Sequence, residues 1–334
     1  MHVSKNTFNH FIISIEEFFN QNKRDLPWRK KTPVAYEVWL SEIILQQTRV
    51  AQGTPYFKKI LAAYPTIKAL SEAPEDELLA LWTGLGYYSR ARNLQKGAQQ
   101  IITEFEGQLP STSEELLSIK GIGPYTAAAI ASICFGERKG VVDGNVYRVL
   151  SRYFGIHSPI NQGSGPKEFQ ELADHLVREA KDPGNYNQGI MEFGALHCTP
   201  KKPKCEGCPL ASLCHAYQHQ IIDELPVKIR KNKRTEETIH FAVVERGGKW
   251  AMYKRDTSSI WGGLYEFPRL KSAPKKGVLM QDPVVHKLSH KDLHCHFWAV
   301  DEDAVGEAQE YYGKPEMEGL GMPIIVSNFV KNML

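Results

Sequence analysis

The chain has 334 residues, with 41 Lys and Arg against 38 Asp and Glu, a net charge of +3, and a hydrophobic fraction of 42%. It is long enough for two compact domains, each with its own core, and its composition is that of an ordinary globular protein. No apolar run reaches membrane-spanning length, and so small a net charge means that nucleic-acid contact must rest on where the basic residues cluster.

Phe11, Ile12, Ile15, Phe18 and Phe19 recur at helical spacing, which predicts an amphipathic first helix over 8–20. The FIISI segment inside it is followed by Glu16 and Glu17 instead of a cleavage site, so a soluble, cytoplasmic chain is expected, nucleoid-associated if the source is bacterial. RDLPWR at 24–29 sets Trp28 between Arg24 and Arg29 after the structure-breaking Pro27; a buried loop tryptophan with snorkelling arginines is the plain reading. A first basic cluster, Lys23, Arg24, Arg29, Lys30 and Lys31, is either solvated charge or a nucleic-acid contact, and so is a second at Lys228, Arg230, Lys231, Lys233 and Arg234.

Residues 38–48 have helical periodicity and carry Glu42, with Val38 and Trp39 a turn behind and Leu45 a turn ahead. A carboxyl group facing that company would be desolvated and would hold a proton near neutral pH, as a general acid must; the alternative is a rim glutamate with its head in water. Residues 74–105 read as two helices, the first opened by Pro74, with a glycine turn between them, GLGYYSRAR at 84–92, whose mixed aromatics and arginines suit stacking and phosphate contact. Ser111 with Glu114 has the pattern of a capping box.

The stretch from Leu117 to Val146 is the most informative. It reads as a helix end, a tight turn at Gly121, Ile122 and Gly123, and a second helix from Pro124 with a small-residue run at Ala127, Ala128, Ala129 and Ala131. A glycine turn feeding a helix N-terminus offers backbone N–H groups to a phosphate, which makes Gly121 and Gly123 candidate DNA contacts. Asp143 then follows an extended Val141-Val142 segment, just before a helix from about Asn145, and is either a helix cap, a positioned carboxylate, or both. Further helical segments are expected at 146–154 and 166–180, and 187–198 delivers Glu192 just before Cys198.

Cys198, Cys205, Cys208 and Cys214 are spaced Cys-x6-Cys-x2-Cys-x5-Cys. Thiolates packed so densely point to metal, since disulfides do not suit an intracellular chain; zinc competes with an iron–sulfur cluster, but zinc ribbons usually show two Cys-x-x-Cys pairs and this chain shows one. From about residue 223 to 237 the pattern becomes Pro226 with dense positive charge, which reads as a basic linker. Beyond it IHFAVVE, KWAMYKR and LHCHFWAV read as strands of an α+β domain over 238–334. His286, His290, His294 and His296 are placed on two strands joined by a turn at Lys291-Asp292, facing different ways, which argues against a second metal.

GIGPYTA together with VDGNV resembles the helix-hairpin-helix glycosylases of the endonuclease III superfamily, and most closely the MutY-type adenine DNA glycosylases. The cysteine spacing is similar to that superfamily's iron–sulfur loop, and IWGGLYEFPRL at 260–270 resembles Nudix folds, although the glutamate-rich metal-binding helix of active Nudix hydrolases does not follow it. The resemblance implies a mostly α catalytic domain over 1–222 with a 4Fe–4S loop at 198–214, then a Nudix-like domain that checks for 8-oxoguanine. It implies that Arg24, Leu26, Trp28 and Arg29 line a pocket for the extruded base, that Gln47 fills the vacated stack, that Tyr87 is a minor-groove tyrosine, and that Glu192 accepts from the exocyclic amine of adenine. The hairpin tip that carries Phe-Ser-His in the family appears here as Leu288, Ser289 and His290, with leucine for the aromatic.

The resemblance further implies that Glu42 protonates adenine while Asp143 stabilises or attacks the sugar, a division of labour between two carboxylates in unlike surroundings. Asn145 is implied to orient water and Tyr125 to hydrogen-bond Asp143. Bifunctional relatives carry a lysine at position 125 that forms a Schiff base, so a monofunctional enzyme is implied, with Lys120 the only nearby amine. The expected partner is duplex DNA with adenine opposite 8-oxoguanine or guanine, bound by a monomer; a non-catalytic DNA-binding scaffold and a bifunctional lyase are the alternatives.

Overall fold

A computed structural model describes residues 4–229, 234–256, 260–288, 290–306 and 310–333. Packing divides the chain into two compact units: residues 1–58, 66–71 and 96–230 form the first, and 59–65, 72–95 and 231–334 the second. This differs from the division read from the sequence, because part of the helical region packs with the C-terminal sheets. The expected linker also begins as packed chain: Leu225 is buried, and Arg152 donates to the carbonyls of Ile222 and Leu225. Residues 230–233 lie outside the described set.

The helices run α1 Lys5–Asn22, α2 Ala35–Leu45, α3 Val50–Ala63, α4 Ile67–Ser71, α5 Glu75–Leu81, α6 Ser89–Glu104, α7 Ser113–Leu116, α8 Pro124–Phe135, α9 Gly144–Phe154, α10 Gly165–Glu179, α11 Pro183–Leu196 and α12 His215–Gln218. The apolar stripe of α1 is buried as its periodicity predicts, at Phe11, Ile12, Ile15, Phe18 and Phe19. It packs into one core with Val146, Val149 and Leu150 of α9 and Tyr186, Ile190 and Phe193 of α11. Two boundaries move from the sequence reading. The second helix lies at 35–45 instead of 38–48, since Gln47 takes a left-handed φ of 58° that a helix cannot continue through. The cap of α7 is Thr112, not Ser111: its hydroxyl accepts from the Glu115 amide and donates to the Glu115 carboxylate, a side-chain cap one residue on in place of the expected box. No helix among the described residues is long and apolar enough to cross a membrane.

In the second unit the strands are β1 Thr235–Val243, β2 Glu245–Arg246, β3 Lys249–Lys254, β4 Tyr265–Glu266, β5 Arg269–Leu270, β6 Val278–Leu279, β7 Val284–Lys287, β8 Lys291–Ala299 and β9 Glu310–Tyr312, followed by α13 Lys314–Glu318 and α14 Ile324–Met333. One sheet has the order β5-β1-β8-β6, with β7 also on β8; the other has the order β2-β3-β4, with β9 on β3. The central β1 and β8 are parallel, and their alternation buries Ile239, Phe241 and Val243 with Leu293, Cys295 and Phe297 against Phe329 of α14. The three expected strands are β1, β3 and β8. The turn before β8 comes earlier than expected: Lys291 and Asp292 already pair in the strand, and Leu288 donates to Lys291 across the turn. His286 sits opposite the buried Leu293, whereas His294 and His296 alternate with the buried residues of β8 and occupy its other face.

Candidate active site

The first unit holds a cleft of about 930 Å³ whose walls bring together Glu42 of α2, Tyr125 of α8, Asp143 at the head of α9, Gln188, Met191 and Glu192 of α11, and Arg24, Leu26, Trp28 and Arg29 of the loop after α1. Val38 and Leu45 flank Glu42 on its wall as the helical spacing predicts, but Trp39 does not; it is fully buried in the core. Burial pushes the Glu42 carboxyl up to about 7, against a hydrogen bond from Tyr125 and the charge of Arg29, and with further upward pressure from Asp143.

Asp143 caps α9. Its Oδ1 accepts from the amides of Asn145 and Val146, both at 2.8 Å, and its Oδ2 from Asn145 Nδ2 at 2.8 Å. These bonds and Arg148 favour the anion, yet burial outweighs them and moves the pKa above the ordinary aspartate value. Three hydrogen bonds thus hold the charge of Asp143, whereas burial dominates at Glu42.

The strand leading to Asp143 is fixed from behind. Buried Asn187 accepts from the Val141 amide at 3.3 Å and donates to Ser132 Oγ and the Lys139 carbonyl at 2.9 and 2.8 Å, while Asp174 accepts from the Gly140 amide at 2.9 Å. Gly194 of α11 lies so close to α9 that a Cβ there would stand 2.6 Å from that of Asn145.

Two expected partners are corrected. The Tyr125 hydroxyl donates to Met191 Sδ at 3.1 Å and not to Asp143; its nearness to Glu42 holds that carboxyl's pKa down, and it meets Asp143 through charge. Asn145 uses both ends of its amide, donating to Asp143 and accepting from Arg148 Nη2 at 2.8 Å, so it clamps the aspartate more than it presents water.

Glu192 is not a solvated helix acid but is 2% exposed, and Arg24 grips it with Nε and Nη2 at 2.8 Å and its backbone amide at 2.9 Å, with Arg29 at 3.4 Å. Burial alone would raise its pKa; the bonds from Arg24 and Arg29 prevail and bring it down to about 2. Leu26 and Trp28 are both buried and both line the cleft, so the packing and pocket readings hold together. Gln47 stands exposed at the rim. Gly121 takes a φ of 87°, and Gly123 caps α8 with space open around it, as a backbone anion site requires.

Sequence reasoning missed Gln188, which accepts from Arg29 Nε at 2.9 Å, although its helical spacing from Glu192 puts both on one face. It missed Arg148 altogether. Lys120 does not line the cleft, whereas Lys30, held to Glu37 at 2.6 Å, does.

Cys198, Cys205, Cys208 and Cys214 line one cavity with Arg152, which reaches Cys198 Sγ at 3.5 Å, and His197, whose buried Nε2 has no partner among the described residues. Burial and the neighbouring sulfurs push the Cys208 thiol up to about 11, with the Leu210 amide opposing, so a cationic cluster is what would make four thiolates tolerable here. In the second unit Tyr87, Leu288 and His290 share the wall of a cavity of about 430 Å³; Ser289 lies outside the described residues.

Residues 40–179 match the family model of the HhH-GPD superfamily base excision DNA repair proteins, 198–214 that of the iron-sulfur binding domain of endonuclease III, and 239–332 that of the NUDIX domain. The cofactor of the cysteine loop is therefore a 4Fe–4S cluster. Among solved structures, a thermostable thymine-DNA glycosylase is 31% identical with a TM-score of 0.59, over 64% of this chain and 98% of that one. An endonuclease III in a non-covalent DNA complex shares the fold at 22% identity and a TM-score of 0.55, over 66% of this chain and 99% of that one. The adenine DNA glycosylase of Rattus norvegicus is 46% identical over 84% of this chain and 64% of its own length, and that of Homo sapiens 45% over 79% and 58%. The adenine DNA glycosylase of Buchnera aphidicola from Schizaphis graminum is 36% identical over 81% of this chain and 82% of its own length, and on that extent of likeness the chain belongs to the adenine DNA glycosylase family.

Proposed function

We propose that this chain is a monofunctional glycosylase that removes adenine paired with 8-oxoguanine or guanine in duplex DNA. The observation that carries the reading is the pairing, in one cleft, of a half-buried glutamic acid that desolvation raises to about 7 and an aspartate held at a helix head. Adenine must first leave the duplex, at a cost that is smallest at a mismatch. Glu42 then gives its proton to the imidazole ring of the base as the bond to the deoxyribose C1′ breaks, and the electron pair leaves with adenine. Asp143 meets the cationic sugar, as a counter-charge or as a nucleophile that closes a transient bond to C1′; water completes the hydrolysis and its proton returns to a carboxylate. Arg24, Arg29, Gln188 and Glu192 form a polar wall able to read the edge of a purine, and Leu26 and Trp28 an apolar one.

When bound, the 4Fe–4S cluster cross-links the loop through its four cysteines, and the hydrolysis calls for no electron from it. Tyr125 cannot form a Schiff base, which supports the monofunctional reading; Lys30 is the amine to watch. Tyr87, Leu288 and His290 on one cavity support recognition of the opposing base by the second unit.

The test is single-turnover adenine release from duplexes with adenine opposite 8-oxoguanine, guanine or thymine. Release should be fastest with 8-oxoguanine, and Glu42→Gln and Asp143→Asn should bind the mismatch yet release little. Unchanged activity in both variants would leave only a DNA-binding scaffold. Efficient borohydride trapping that disappears in Lys30→Ala would make the enzyme a lyase.

A further inference from the structure

We infer that Trp261 is a specificity-determining residue, the planar surface against which the base opposite adenine stacks. The inference rests on the mispair reading above. Trp261 lines the cavity of the second unit that also carries Tyr87, Leu288 and His290. Its backbone sits at a φ of 62°, a left-handed conformation that bulky side chains rarely adopt, and Tyr87 on the same cavity sits at 49°. They are the aromatics among the described non-glycine residues with positive φ, and both border one space. Such a conformation persists only where the surroundings over-determine it, and it concentrates at ligand clamps.

The surroundings do over-determine it. Glu266, fully buried, accepts from Arg255 Nη1 at 2.6 Å and from Arg269 Nε and Nη2 at 2.7 and 2.9 Å. Arg255 Nε also holds the Ile260 carbonyl at 2.9 Å, and the Leu264 amide closes back on the Trp261 carbonyl at 3.1 Å. The Arg269 guanidinium lies 5.6 Å from the centre of the indole, a cation held over a ring. Two arginines and a buried glutamate thus brace a short loop whose outstanding feature is one strained tryptophan.

The indole packs against the apolar core of the second unit, yet it stays only half-buried and also lines the cavity, so packing does not use all of it. Leu288 brings no ring to the cavity, so stacking falls to Trp261 and the exposed Tyr87. A cavity of about 430 Å³ accommodates a purine, and His286, whose ring lies 5.8 Å from the indole, supplies a hydrogen-bonding edge. Burial lowers the pKa of His286, which favours the neutral imidazole with one donor and one acceptor. Arg92 and Lys287 on the same wall suit the flanking phosphates.

The experiment compares single-turnover adenine release from duplexes with adenine opposite 8-oxoguanine and opposite guanine, and takes the ratio of the two rates at limiting enzyme. Trp261→Leu, which keeps apolar bulk without a ring, should lower that ratio roughly tenfold, the order of one lost base–aromatic stack, while Trp261→Phe keeps most of it. Both variants should melt within a few degrees of the parent, which separates the effect from misfolding. A parental ratio in Trp261→Leu overturns the inference even if the parent prefers 8-oxoguanine. A parent with no preference overturns the mispair reading and the inference with it.

Discussion

Asn145 and Arg148 are locked side chain to side chain, with Arg148 Nη2 donating to Asn145 Oδ1 at 2.8 Å, while Arg148 Nε donates to the Cys198 carbonyl at 2.7 Å and Asn145 Nδ2 to Asp143. One buried guanidinium therefore joins Asp143, through Asn145, to the first residue of the cluster loop. Arg148→Gln removes a charged anchor worth about 1.5–3 kcal/mol. Adenine release should fall by about one to two orders of magnitude while iron content stays at the parental level, since all four cysteines remain. Parallel loss of iron would show that the contact serves the loop and not Asp143.

In the proposed mechanism the proton on Glu42 sets the alkaline side of the pH profile. Release should decline as pH rises through about 7, the value to which burial pushes this acid, with a slope of one proton. The same shift has a signed effect on stability. The folded pKa lies above the unfolded one, so the contribution is fully present below the ordinary glutamate range and is lost as pH rises through about 7. Glu42→Gln should thus melt like the parent in acid, melt higher than the parent above neutrality, and be nearly inactive throughout.

Glu192 works in the opposite sense. Its folded pKa is brought down to about 2, so its contribution is present above the ordinary glutamate range and fades as pH falls toward that value. Glu192→Gln strands Arg24 and Arg29 beside a buried position and should cost more than about 2 kcal/mol in urea unfolding at neutral pH; the figure is kept modest because Arg24 is 34% exposed. The penalty should shrink in acid, and a pH-independent penalty would argue against the ion pair as its source.

Removing iron should loosen one segment before the whole. Val149, Phe193 and Leu210 line the cysteine cavity and belong to the helical core, so the chain on either side stays anchored. Chelation, or Cys208→Ser, should bleach the visible absorbance and expose 198–214 to protease cleavage at temperatures where α8 and α9 remain protected from hydrogen exchange.

The cap at Asp143 was legible from the glycine turn and the helix after it, whereas the apolar stripe around Glu42 left a rim glutamate open and only the resemblance set the two acids together. The cysteine spacing was legible because it too is a local pattern. The partners were not: Arg24 finds Glu192, and Arg29 finds Gln188, from opposite ends of the unit, and no periodicity links them. Tyr125 was placed beside Asp143 by resemblance, but where its hydroxyl points depends on how α8 is turned against α2 and α11. Gln47 ended its helix early through a backbone conformation that glutamine seldom adopts, so the apolar pattern alone ran past the true end.

Gly194 behaves as a spacer of zero thickness. Since a single methyl there would collide with the Cβ of Asn145, even alanine should wedge the head of α9 outward and carry the Asp143 carboxylate with it. Catalytic alignment in this molecule is thus dictated partly by an atom that is missing, and a drift in activity without any change in a polar residue is most readily produced at that contact.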